Sequence, residues 1–354
     1  VKENRIPLRF LIPPAAFALI CVFYFALDFY LTSREKQLRS ELEQVAKSRA
    51  FFDQNTSANR LRILAFDVGV FLQSGRILEP PPQFISKSAR FRAVWDELNH
   101  YVKAEALDSG PLVEVPDETR KFLQESDEAV GTIREFLVHH DAPRWKQEQS
   151  LEAQFEPILI GVIRLHHILA ARAISDMEAG NLADSERGLF ACWKLNESLG
   201  YRQEAVSIIV AMKCSLIEFG LLKKLPSMSP QWTTRIKRLD PRKNLATALF
   251  AESMRVFDGL GNNSFRRELL NTKAGGLPEW LKPTAATMLD PYFRLARLNY
   301  LAIEMEAIHK LQQGGKPETR ARDNPFFRNF FHDYESISNT LREFEEMQAK
   351  CCSK

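Results

Sequence analysis

The sequence predicts an all-α protein, with an N-terminal transmembrane helix followed by a multi-helix body built on an antiparallel helix core. Three observations carry this. Residues 10–27 read FLIPPAAFALICVFYFAL, with no charged residue among them. Only 15 glycines are spread over 354 residues, leaving long stretches of three- and four-residue apolar spacing without turn signals, which argues against strands. The dipeptides Asp240-Pro241, Asp290-Pro291 and Asn324-Pro325 each join an N-cap residue to a first-turn proline, the start signal of a helix.

Residues 10–31 are expected to span a membrane, because a hydrocarbon core about 30 Å thick takes roughly 20 helical residues. Pro13 and Pro14 stand early in the run, where their missing N–H groups cost least. Asp28 sits beside Phe29 and Tyr30, as at an interface. No small-x-small cleavage site follows, and Cys21 comes after Ile20, which does not fit a lipoprotein box. The anchor is therefore read as uncleaved. Residues 1–9 form a short basic tail carrying Lys2, Arg5 and Arg9, the pattern of an N-in signal anchor with its body outside the cytoplasm, although Arg34, Lys36 and Arg39 after the run leave the charge count itself equivocal.

Residues 32–79 are expected to form membrane-proximal helices. The anchor helix runs on through Leu31, Leu38, Leu42, Val45 and Phe52, one apolar stripe suited to packing on the body, and a second helix covers 58–73. Pro80-Pro81-Pro82 then reads as a rigid linker or domain edge. The helical body occupies 80–354. Helices are expected over 87–107 and 116–140, then over 158–178, 183–199 and 203–225, and finally over 241–257, 291–313 and 325–348. Between the last groups, 258–282 holds Gly259, Gly261, Gly275 and Gly276 and reads as the longest irregular, mobile loop.

The core of the body is 157–226. Its first helix is apolar nearly all round, which marks a central buried helix. The junction Ala171-Arg172-Ala173 through Gly180-Asn181 to Ala183 places small residues where two antiparallel helices touch and a Gly-Asn turn between them. This hairpin resembles the middle of a tetratricopeptide repeat. It has no second copy at that period, so the core is expected to be repeat-like, or α-solenoid-like, within a larger domain rather than an array. The short-loop helix trio after a membrane anchor resembles a functionally uncharacterised family of bacterial single-pass, membrane-anchored, all-helical proteins. That resemblance implies the topology and a place in the bacterial inner (cytoplasmic) membrane, and carries no mechanism.

Composition narrows the chemistry. A net charge of +3 without a dense Lys/Arg cluster among aromatics leaves no nucleic-acid footprint. The 5 cysteines form no C-x-x-C pair, so no structural zinc or redox motif is expected; Cys192 and Cys214 read as buried thiols and Cys351-Cys352 as an exposed terminal pair. His139-His140 and His166-His167 are adjacent on their helices and point about 100° apart, so neither pair chelates alone. They read as a helix-end pair and a core-edge pair. Glu252 and Arg255 read as an intrahelical ion pair, and Gly259-Leu260-Gly261 lacks the strand and third glycine of a phosphate loop. No catalytic, cofactor-binding or metal residues are therefore assigned, and no cofactor is expected.

These readings point to an extracytoplasmic, membrane-anchored scaffold or protein-interaction module. The alternative is a membrane-tethered, hydrolase-like enzyme with a site assembled from distant helices. Phe190, Trp193 and Tyr201 cluster at the end of the second core helix and are the candidate partner surface. Core closure is the competing role for them, since large aromatics are usually buried.

Overall fold

A computed structural model describes residues 8–47, 55–72, 81–145, 157–202, 204–260, 290–315, 317 and 333–353. Among these residues there are 12 α-helices, one 3-10 turn and no strand. The chain divides into two compact units. One comprises Val1–Arg49, Phe250–His309 and Glu318–His332; the other comprises Ala50–Leu249, Lys310–Pro317 and Asp333–Lys354.

The first unit joins α1 (Leu8–Lys47) to the second part of α10 (Pro241–Leu260) and most of α11 (Asp290–Gln312). Of the stripe expected along α1, Leu31 and Leu38 are buried, as are Phe257, Tyr300, Leu301 and Ile308. Charges clamp the same stretch. Arg294 binds Asp28 and donates to Thr32 Oγ1 at 2.9 Å, and Arg297 Nη2 lies 3.1 Å from Glu35 Oε1 with its guanidinium 4.2 Å from the Phe257 ring centre. Around the start of this clamp large apolar side chains are bare: Val22, Phe23, Phe25, Phe29 and Tyr30 are 59% to 78% exposed.

The second unit begins at Asn55, whose Oδ1 accepts from the Ala58 N–H at 3.0 Å and starts α2 (Thr56–Ala65). The helix expected over 58–73 is shorter than its pattern. It tightens into a 3-10 turn at Phe66–Val68 and stops at Gly69, which adopts φ +75°. A Cβ there would stand 2.4 Å from Lys87 O, so only glycine permits the turn and the close approach of the next helix, α3 (Phe84–Leu107). Pro81 and Pro82 lie within this unit and lead into α3, with Pro81 O accepting from the Phe84 N–H.

The single helix expected over 116–140 is two, α4 (Asp117–Glu125) and α5 (Asp127–His139). Ser126 causes the break. Its hydroxyl donates to Phe122 O at 2.6 Å and its backbone leaves the helical region, a competition that serine offers and apolar spacing does not reveal. The core trio follows as expected, with α6 (Pro157–Glu178), α7 (Leu182–Gly200) and α8 (Ala205–Lys224). Gly180 at φ +77° turns the chain between α6 and α7, and the Asn181 N–H closes the turn on Asp176 O at 2.7 Å. Small residues let the two helices approach: Ala170, Ala171 and Ala173 are fully buried, and a Cβ on Gly188 would lie 3.1 Å from that of Ala173.

Leu165 and Leu169 are buried at 0% and 1% exposure, as a central helix requires. Among the described residues, two helices, α6 and α8, are long and apolar enough to cross a membrane, but 72% of the apolar stretch of each is buried inside the protein. Their apolar surface is core.

Two further elements complete this unit. The eight-residue helix α9 (Pro230–Lys237) lies where none was expected, and α12 (Tyr334–Cys352) packs its stripe Ile337, Leu341, Phe344 and Cys351 inward. The terminal cysteines expected to be exposed are therefore corrected: Cys351 is buried, being on the inner face of α12, and only Cys352 is partly accessible. Most of the loop expected over 258–282, the helix start at 324–325 and most of the basic tail lie outside the described residues; 258–260 belong to α10.

Candidate functional site: an aromatic and cationic cleft

Phe190, Trp193 and Tyr201 line one cleft in the second unit, about 510 Å³ in volume. Helix α7 places the first two by periodicity, and Tyr201 follows at its C-cap. Leu189, Cys192, Leu195 and Leu199 form its buried stripe, and Phe190, Trp193 and Glu197 stand next round the helix, half-buried or exposed. From α8 come Ile208, Met212 and Ser215, and Arg235 of α9, Arg238, Leu239 and Phe344 of α12 also line the cleft.

The aromatics are braced from behind by Trp232, which the sequence reading missed. It is 1% exposed, its Nε1–H donates to Glu186 Oε1 at 3.0 Å, and its ring meets those of Phe190 and Trp193 edge-on at 6.3 and 5.7 Å. Trp232 is the buried member of this aromatic group, and Phe190, Trp193 and Tyr201 are each half-buried. Arg235 lies over the Phe190 ring at 4.2 Å from its centre. Tyr201 OH donates to Glu197 Oε1 at 3.1 Å, and burial together with that carboxylate pushes the phenol up to about 12. A signal for the missed helix existed, since Ser229-Pro230 is the same polar–proline start as at the three later helices.

Asn196 and Ser215 bring polar atoms to the cleft. Asn196 Nδ2 donates to Ser215 Oγ at 2.8 Å, and its Oδ1 accepts no hydrogen bond although the residue is 6% exposed. Deeper in the core, His166 Nε2 and Glu218 Oε1 stand 3.0 Å apart with both side chains essentially without solvent. Burial pushes His166 down to about 3 and raises Glu218 well above the usual carboxylate range, so the pair is neutral. His167 is also pushed down to about 3, by burial and then by His166, and its Nδ1 is 2.8 Å from Ile163 O. The histidine pair expected at the core edge is in the core itself.

Burial holds the Cys192 and Cys214 thiols protonated, so neither is a nucleophile in this state. His140 Nδ1 meets Phe136 O at 2.9 Å at the end of α5, and His139 lies 3.5 Å from Glu135, consistent with helix-end roles. Among the described residues no three His, Cys, Asp or Glu side chains stand close enough to hold a metal ion. The cleft itself contains one carboxylate, Glu197, and no histidine. Such a lining offers ring faces, cations and an amide, which bind a ligand. Comparison of the chain with protein-family models, with curated proteins and with solved structures found no match.

Proposed function

We propose that the protein is a membrane-anchored helical interaction module, in which residues 10–31 cross the bacterial inner membrane and the body uses the Phe190–Trp193–Tyr201 cleft to bind a protein partner outside the cytoplasm. The repeat-like α6–α7 hairpin supplies the rigid wall on which the cleft is built. The observation that carries the reading is the cleft: three half-buried aromatics share one concavity with Arg235 and Arg238, and aromatic and arginine anchors in pockets are what protein interfaces use. Support for the anchor comes from Val22, Phe23 and Phe25, exposed around α1, followed by the charge clamp at Asp28, Thr32 and Glu35. Apolar side chains bare on every side of a helix suit lipid, and ion pairs suit the water beyond it.

The experiment is photocrosslinking in native membranes from position 244, an exposed asparagine lining the cleft, with position 85, an exposed isoleucine that does not line it, as control. A defined protein adduct from position 244 alone is expected, and its absence removes the function. Orientation is read separately by membrane-impermeant thiol labelling of Cys352, partly accessible on α12. Labelling in intact spheroplasts is expected; labelling only after lysis places the body in the cytoplasm.

A further inference from the structure

We propose that the partner segment received by this cleft is an acidic peptide with at least one large apolar side chain, an inference that rests on the cleft being a partner site. Lys194, Arg235 and Arg238 all line it, and among the described residues none of the three meets a carboxylate; the one side-chain hydrogen bond Arg235 makes is to Gln231 Oε1, at 3.5 Å. Several other arginines of the same unit find acids: Arg90 takes Glu118 and Glu125, Arg134 takes Asp176, Arg172 takes Asp127 and Asp176, and Arg242 takes Glu345. Cations left without anions only partly desolvated beside aromatic rings attract a ligand that brings the anions, and a guanidinium fork accepts a carboxylate with two parallel hydrogen bonds.

The remaining chemistry fits a peptide rather than a free anion. Trp193, Ile208 and Met212 provide an apolar wall for one side chain, and about 510 Å³ holds a few residues of extended chain.

The test selects peptides from a random display library on the immobilised, detergent-solubilised full chain. Sequences rich in Asp and Glu around a Trp, Phe or Leu are expected. A synthetic peptide of the selected sequence should bind about tenfold more weakly when its carboxylates are made amides, and again when Arg235→Gln is introduced, the loss due to one charged hydrogen-bonding contact. Binding should also weaken with salt. Neutral or basic selected sequences, an amide peptide that binds equally well, selected peptides that bind Trp193→Ala undiminished, or no binders at all would each overturn the acidic-peptide assignment. The crosslink from position 244 reads the partner site without reference to charge, so the two claims fail separately.

Discussion

Glu218→Gln is expected to stabilise the second unit at neutral and alkaline pH and to make it more sensitive to acid. Glu218 has a folded value raised well above 4.5 by burial, so its contribution is fully present below 4.5 and is lost as pH rises through the folded value. His166 has a folded value lowered from 6.5 to about 3, so its contribution is fully present above 6.5 and is lost as pH falls toward 3. Between 4.5 and 6.5 the two slopes oppose, each about 1.4 kcal/mol per pH unit, and the native protein should show a plateau from this pair. Glutamine keeps a donor for His166 Nε2 and does not titrate. Urea unfolding across pH should therefore find Glu218→Gln losing stability steadily below 6.5, with His167, also lowered to about 3, adding to the acid limb. His166→Gln should expose the opposite slope. If the pair were ionised in the folded state, Glu218→Gln would instead cost about 3–5 kcal/mol at neutral pH.

Gly220→Ala is expected to destabilise the same unit by about 3 kcal/mol, at the upper end of overpacking. A Cβ at this position would lie 1.9 Å from Ala106 O and 2.9 Å from Ala106 Cα, so the backbones of α8 and α3 touch there and no side-chain rotation relieves the clash. Gly131 in α5 is the internal control. Nothing lies within 4 Å of its Cβ position, and alanine there should gain about 0.5–1 kcal/mol from helix propensity. Opposite signs in denaturant titrations are the expected result, and equal effects would contradict the α3–α8 approach.

Helix positions were legible where an apolar stripe ran uninterrupted, as in α3 and α7, or where apolar residues ran nearly all round, as in α6. The errors have local causes. Apolar spacing continues through Ser126, whose hydroxyl breaks the helix, and through Gly69, whose need for glycine comes from Lys87 on another element. Helix α9 is short, with Trp232 and Ile236 as its whole buried stripe, too few for periodicity to register. Half of the cleft was legible, because Phe190 and Trp193 share a face of one helix. Arg235 and Arg238 arrive from a different element, and the His166–Glu218 contact joins residues 52 apart in sequence, so only packing brings these groups together.

The claim at the centre of this account is that Trp193 serves binding while Trp232 serves the fold. It is tested most directly by combining Trp193→Ala with the position-244 crosslink and a melting curve of the same protein. Trp193 is half-buried and Trp232 is 1% exposed. The account predicts loss of the partner adduct with at most a small decrease in melting temperature, since truncating a half-buried side chain removes less core than truncating a fully buried one. An adduct that persists, or one that disappears only together with a collapse of the melting transition, would contradict it and make Trp193 part of the structural core.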